Sequence, residues 1–166
     1  EERIAVVHRN EPRAILLLDA SGAIVEIIYL EPLSLGRPAT VSYIPTAKQF
    51  AVRFIEQPGV LYILSRTGQL DRIIDLTAFD VSEYIDAAYF NPAHPSGGLF
   101  LVLTPNTTSR ALVLDFYGNF VGEFNYRQAL GATSPYAVFP ITSGKNAGAF
   151  GLLDSEGNEL IIFRGK

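Results

Sequence analysis

Short apolar runs, each followed by a small polar turn containing a glycine and then by a second apolar run, recur four times along the chain. The turn glycines lie 46, 50 and 39 residues apart, at Gly22, Gly68, Gly118 and Gly157. The runs are rich in Ile, Val, Leu, Phe and Tyr, whose side chains fit a half-buried pleated surface. Glycine supplies the positive φ that a tight turn requires. The pattern therefore predicts four β-hairpins.

Three of these turns begin with an aspartate, at Asp19, Asp115 and Asp154. An aspartate at this position accepts hydrogen bonds from backbone amides two residues further on. We therefore predict that the three carboxylates cap their turns. A calcium loop is a poorer interpretation of residues 154–158, because the segment lacks the spaced ligands and the terminal bidentate glutamate of such loops.

Further strands are predicted between the hairpins. One recurring type comprises Thr40–Pro45, Tyr84–Phe90 and Tyr136–Ile141, and a second type comprises Gln49–Ile55 and Phe100–Leu103. Helical periodicity is weak, and Thr77–Tyr84 and Tyr126–Ala132 have room for one helical turn each. Each repeat then holds four strands in about 45 residues, which is the size of a propeller blade.

The predicted fold class is all-β, a β-propeller-type array of four-stranded blades with two complete and two partial members. We place the blade units at about 3–30, 36–76, 82–125 and 134–164, within one domain over 1–166. With the strands lettered A to D outward, the first unit begins at strand B (Ile4–Val7) and lacks strand A. The fourth stops after strand C (Ile161–Phe163), because Gly157 fits the B–C turn better than the C–D turn.

Open edges of apolar strands invite pairing with other chains. We therefore expect the edges of the first and fourth units to be covered, either by more blades outside this chain, by another copy of it, or by another protein.

The fourth repeat resembles an NHL-type repeat. Blades of that family carry a proline-led innermost strand, a second strand ending in Asp, a small polar turn and a third strand ending in Phe, as in Ser134–Val138 followed by Phe150–Phe163. The first two repeats depart from the family at Val41–Pro45 and Ser65–Gly68, which lack the usual aspartates. Related six- or seven-bladed families stay open. The resemblance implies an interaction platform, as in many such proteins, or an enzyme, as in some.

The composition narrows the classes of function. The chain has 166 residues, 48% of them hydrophobic and 18% charged, and a net charge of -4 with its basic residues scattered singly. This distribution argues against a nucleic-acid surface, which needs clustered positive charge. No apolar run approaches the roughly 20 residues of a membrane-spanning helix. Cysteine is absent, so disulfides and thiolate metal sites are excluded.

The start of the chain bears on its location. Methionine is absent, and the chain begins Glu1-Glu2-Arg3 before its first apolar strand. This start predicts a processed or excised chain. A removed signal peptide would favour an extracytoplasmic protein, periplasmic or secreted, and an excised fragment explains the same start.

A search for reactive groups yields no catalytic residue, no metal ligand and no cofactor motif. The histidines are His8 and His94, and neither has a nucleophile or a second ligand beside it in sequence. Neither Gly-x-Ser-x-Gly nor a phosphate-binding glycine loop with its lysine and hydroxyl residue occurs. Asn106-Thr107-Thr108 matches a glycosylation acceptor on a predicted loop.

Candidate binding residues are Arg37, Tyr84, Arg127 and Tyr136, which fall at or near the predicted loops between strand D and the next strand A. Arginine and tyrosine are enriched in the hot spots of protein interfaces. We therefore predict a non-enzymatic scaffold that binds other protein chains or further copies of itself.

Two alternatives stay open. One is that the chain is part of a metal-dependent hydrolase or lactonase-type propeller. The only set of polar groups close together in the sequence that could serve such a site is Glu83, Asp86, Asn91 and His94. The other is recognition of carbohydrate or of a cell surface through exposed tyrosines.

Overall fold

The described residues, 3–105, 107–142 and 144–164 of a computed structural model, fold almost entirely into β-strands. The strands are β1 (Ile4–His8), β2 (Ala14–Leu18), β3 (Ile24–Tyr29), β4 (Pro38–Ile44), β5 (Gln49–Phe54), β6 (Val60–Leu64), β7 (Leu70–Asp75), β8 (Asp86–Phe90), β9 (Leu99–Leu103), β10 (Arg110–Asp115), β11 (Phe120–Asn125), β12 (Pro135–Pro140), β13 (Phe150–Asp154) and β14 (Glu159–Phe163). Asn106 of the glycosylation motif lies outside the described residues.

Among the described residues, three short helical turns follow strands of the hairpins. They are the 3-10 turns Glu31–Leu33 and Leu76–Phe79 and the single-turn helix α1, Tyr126–Leu130. The second and third confirm the helical turns predicted near these positions, whereas the first was not predicted. In the latter two, the last residue of the preceding strand caps the turn. Asp75 accepts from the Thr77 amide, and Asn125 accepts from the Gln128 amide.

Within the described residues, the strands form four antiparallel sheets. Sheet 1 is β1-β2-β3, sheet 2 is β4-β5-β6-β7, sheet 3 is β8-β9-β10-β11 and sheet 4 is β12-β13-β14. Within each sheet, strands that are consecutive in the chain pair with one another, as hairpin connections allow. The sizes confirm the predicted array of two complete and two partial members. The chain divides into two compact units, unit 1 at residues 1–82 with sheets 1 and 2, and unit 2 at residues 83–166 with sheets 3 and 4.

Breaks in register identify the strand types. A bulge interrupts each of the hairpins β2–β3, β6–β7 and β10–β11 near its turn. The β13–β14 hairpin pairs without a break. Instead, β12 carries a bulge between Pro135 and Ala137, matching the bulge between Pro38 and Thr40 in β4. Sheet 4 therefore contains strands A, B and C, and Gly157 lies in a B–C turn, as predicted.

Each unit buries its core between its two sheets. In unit 1, Phe50, Val52 and Phe54 of β5 belong to one cluster with Ile15 and Leu17 of β2. In unit 2, the corresponding cluster joins Phe150 and Leu152 of sheet 4 to residues of sheet 3 including Leu101, Leu103 and Ala111. The alternate residues of β5 and β13 thus point to one face, as the two-residue period of a strand requires.

The predicted aspartate caps are present in the structure. One Asp19 carboxylate oxygen accepts from the amides of Ser21 and Ala23 at 2.8 and 3.0 Å. One Asp115 oxygen accepts from the amides of Tyr117 and Asn119 at 2.9 and 2.8 Å. The hydrogen bond from the Ser21 hydroxyl is the main cause that lowers the pKa of Asp19 below its usual value.

Gly22 and Gly68 occupy equivalent turn positions, with φ of 84° and 81°, but their surroundings differ. A Cβ at Gly68 would lie 2.7 Å from Cγ2 of Ile28, whose side chain is buried, whereas a Cβ at Gly22 would meet nothing within 4 Å. We predict that Gly68→Ala lowers the free energy of unfolding of unit 1 by about 2 kcal/mol, from backbone strain plus overpacking. Gly22→Ala carries the backbone strain alone and should cost about half as much. Denaturant titration of both variants measures the difference, and equal losses would contradict the role assigned to Ile28.

Candidate functional site

The four predicted binding residues lie in different surroundings, and Arg37 belongs to an ion pair within unit 1. Its Nε donates to Glu56 Oε1 at 2.8 Å, and its backbone amide donates to Glu56 Oε2 at 2.7 Å. The hydrogen bond from the Arg37 side chain is the main cause that lowers the pKa of Glu56 to about 2. Glu56 follows β5, and the pair thereby ties the end of strand B to the loop entering β4. Both side chains stay about half exposed.

Two further candidates lie at the start of unit 2 and in α1. Tyr84 is fully buried, which removes it from any surface that a partner could contact. Arg127, in α1, is exposed and donates from Nη2 to the Thr133 carbonyl at 3.3 Å. Its side chain lies along the loop that leads from α1 to β12.

Tyr136 is the candidate whose surroundings are most like a binding site. It sits at the bulge of β12, is 53% exposed, and lines a shallow groove of about 510 Å³ together with Leu153 and Leu160. Polar residues 154, 155, 158 and 159 complete the lining. The groove combines an aromatic ring and aliphatic side chains with a polar rim, which is the composition of a protein-binding surface.

Asp154 also lines this groove, at the end of β13, and is almost fully buried. Its carboxylate accepts from the amides of Thr133 and Ser134, at 2.5 and 3.1 Å to Oδ2, and from the Glu156 amide at 3.0 Å to Oδ1. Burial alone would raise the pKa of Asp154, but the amide hydrogen bonds from Ser134 and Thr133 outweigh it and lower the pKa. The predicted turn cap therefore also holds the entry to β12.

The groove continues onto an apolar sheet face. Phe139 pairs with Gly151, which pairs with Ile162, and Leu153 pairs with Leu160, so these five residues lie on one face of sheet 4. We call this set the outer face of sheet 4. The opposite face carries Phe150 and Leu152 and packs in the core of unit 2.

The outer face of sheet 4 is uncovered. Its exposed fractions are 37% for Phe139, 52% for Leu160 and 44% for Ile162. A Cβ at Gly151 would overlap the far edge of the Phe139 ring, so that ring lies directly over the glycine. Sequence inspection missed this face because β14 reads as a continuous apolar run, Leu160–Phe163, which does not distinguish a covered face from an exposed one.

Two residues of the hydrolase alternative, Asp86 and His94, form hydrogen bonds with the backbone or with a near neighbour. Asp86 accepts from the amides of Ala87 and Val138 at 2.9 and 3.0 Å, one at each oxygen. His94 Nδ1 lies 2.8 Å from the Ser96 hydroxyl. No group of three or more His, Asp or Glu side chains placed to hold a metal ion occurs among the described residues. Within the same ranges, no helix has the length and apolar character needed to cross a membrane.

Comparison with known proteins bears on the fold. No family model matches the chain, and no curated sequence matches it. Among solved structures, BBS1N, crystallised in complex with ARL6DN, superposes with a TM-score of 0.60 at 16% identity over 99% of this chain. The β-propeller domain of Cps50 (Swd1) from Myceliophteria thermophila gives 0.59 at 10% identity over 98%, and the WD40 domain of SCAP from fission yeast gives 0.53 at 14% over 98%. The fold is that of a β-propeller.

The propeller likeness covers only part of each solved chain. This chain spans 47% of the BBS1N chain, 48% of the Cps50 chain and 36% of the SCAP chain. At these identities the likeness concerns the fold alone.

Proposed function

We propose that this chain is a non-enzymatic propeller scaffold that binds protein through the outer face of sheet 4. The observation that carries the proposal is the row of exposed apolar side chains at Phe139, Leu160 and Ile162, continued by Tyr136 in the groove. Contiguous exposed apolar residues with a polar rim mark interaction sites on soluble proteins. Because the face is built on three hydrogen-bonded strands, it is rigid and loses little conformational entropy on binding.

Two further observations support a protein partner. The outer face of sheet 4 carries no charged residue, and charge depletion is characteristic of the buried centre of protein interfaces. A solved propeller similar to this chain, BBS1N, is described in complex with a protein, ARL6DN. We further propose that the repeats are of the NHL type, and the pattern in Ser134–Val138 and Phe150–Phe163 supports this. The extracytoplasmic location stays a prediction.

The test is binding by a pair of variants with matched exposure. Ile162→Glu places a charge on the outer face of sheet 4, whereas Val121→Glu places one at a similarly exposed position in β11. Proteins captured by the wild-type chain are identified, purified and titrated against all three chains by calorimetry. We expect Ile162→Glu to raise the dissociation constant at least about tenfold and Val121→Glu to leave it unchanged. Equal affinities for both variants would contradict the proposal.

A further inference from the structure

Sheet 1 has an uncovered apolar face of its own. Val6 pairs with Leu16, which pairs with Ile27, and Ile4 pairs with Leu18, so these residues lie on one face. We call this set the outer face of sheet 1. Ile4, Val6 and Ile27 are exposed, and the face has no charged residue. The opposite face carries Ile15 and Leu17 and packs in the core of unit 1.

The strand register places this face at positions that are covered in other sheets. When the two sheets are aligned on the bulges of the β2–β3 and β6–β7 hairpins, Ile4 and Val6 of β1 correspond to Phe50 and Val52 of β5. Both β5 residues are buried, in the cluster formed with sheet 1. In sheet 4, the matching bulges of β12 and β4 place Phe150 and Leu152 at the same positions in β13, and both are buried in the cluster formed with sheet 3. In both units, this face therefore receives the sheet that comes before it in the chain.

The outer face of sheet 4 corresponds to the face of sheet 3 that packs against the next sheet in the chain. Phe139, Leu153, Leu160 and Ile162 hold the register positions of Ala88, Leu103, Ala111 and Val113 in sheet 3. Those four residues of sheet 3 belong to the core of unit 2 or pack against it. Sheet 4 therefore presents the face that, in sheet 3, receives the sheet that comes after it.

Compared with the contact between sheets 3 and 4, the two outer faces carry side chains of complementary volume. On sheet 4, Leu160 replaces the smaller Ala111, and Ile162 replaces the smaller Val113. On sheet 1, Ile4 stands where sheet 4 has the larger Phe150, and Val6 stands where it has the larger Leu152. Volume added on one side is thus matched by volume removed on the other, which is what close packing at an interface requires.

We propose that the outer face of sheet 4 binds the outer face of sheet 1 of a second copy of this chain, head to tail. The contact continues the sheet-on-sheet packing seen within both units, with both partners apolar and uncharged. It rests on the proposed function and names the partner of the same surface. A head-to-tail contact joins two different surfaces, so each copy keeps one free face for a further contact unless the assembly closes.

The test uses one variant on each face, mixed together. Ile162→Glu removes the sheet 4 surface and keeps that of sheet 1, whereas Val6→Glu does the reverse. We expect sedimentation of the wild-type chain to show self-association and each variant alone to be monomeric. An equimolar mixture of the two variants should form a 1:1 heterodimer, because one intact pair of faces remains. Val121→Glu should associate like the wild-type chain, and circular dichroism establishes that each variant is folded.

Two outcomes would overturn the inference. The first is a monomeric wild-type chain. If Ile162→Glu nevertheless weakened binding to a captured protein of another sequence, the proposed function would stand without self-association. The second is the persistence of dimers in Val6→Glu alone. That result would indicate a symmetric contact between two sheet 4 faces, which does not use sheet 1. A wild-type chain that neither self-associates nor binds any other protein would overturn the proposed function as well.

Discussion

Replacing Phe150 by alanine is expected to lower the free energy of unfolding of unit 2 by about 3–5 kcal/mol. Phe150 is 4% exposed and lies on the core face of sheet 4. Its ring makes an edge contact with Phe90 at 4.6 Å between centroids and stacks on Phe163 at 5.3 Å. Truncation removes both aromatic contacts and leaves a cavity between two sheets whose backbones are fixed by hydrogen bonds, so the site collapses only partly.

Phe120 provides the matched control. It is 50% exposed and lies in β11, the outermost strand of sheet 3. Phe120→Ala removes the same atoms from a half-solvated position, and we expect a loss below about 1 kcal/mol. Urea titration, with hydrogen exchange of the β9 and β13 amides to report on unit 2, measures both variants. Losses of similar size would mean that the core of unit 2 does not depend on the contact between its two sheets.

The hairpins were predictable because their signals are local. Alternation of apolar residues, a turn glycine and an aspartate two residues before an amide donor all lie within about ten residues, and Asp19 and Asp115 behave as such local caps. The assignment of Gly157 to a B–C turn followed from spacing, and the bulge between Pro135 and Ala137 supports it. The blade boundaries given from the sequence stay predictions.

The surface was harder to predict than the fold, because exposure depends on which sheet packs on which. Tyr84 and Tyr136 have the same residue type and lie near the same kind of loop, yet one is fully buried and the other is 53% exposed. Ile162 and Leu152 are both aliphatic strand residues, but only one faces the core of unit 2. Such distinctions arise from contacts between residues distant in sequence, which single-sequence patterns do not contain.

Asp154→Asn is expected to lower the free energy of unfolding of unit 2 by about 3 kcal/mol, although the side chain keeps its shape. In the native structure, Oδ2 accepts from the amides of Thr133 and Ser134, and Oδ1 accepts from the Glu156 amide. An asparagine has one oxygen, so its NH2 group must face amide donors at one of the two positions. Those amides then lose a charge-assisted hydrogen bond in a site that is nearly excluded from water.

Asp19→Asn is the control for this substitution. The hydrogen bonds to Asp19 from the Ser21 amide, the Ser21 hydroxyl and the Ala23 amide all end on Oδ1. An asparagine oriented with its oxygen at that position keeps all three, and we expect a much smaller loss of stability. A large loss in both variants would show that charge alone, without the two-sided geometry, explains the role of Asp154.

The pH dependence separates the Asp154 carboxylate from the shape of its side chain. The amide hydrogen bonds hold the pKa of Asp154 below its usual value despite its burial, so the folded state binds this proton more weakly than the unfolded state. The stabilisation is complete above the pKa of the unfolded chain and is lost as the pH falls through the lower folded value. The difference in unfolding free energy between wild type and Asp154→Asn should therefore be constant near neutral pH and shrink below about pH 4. A difference that stayed constant into this acidic range would mean that the native carboxylate does not carry the stabilisation.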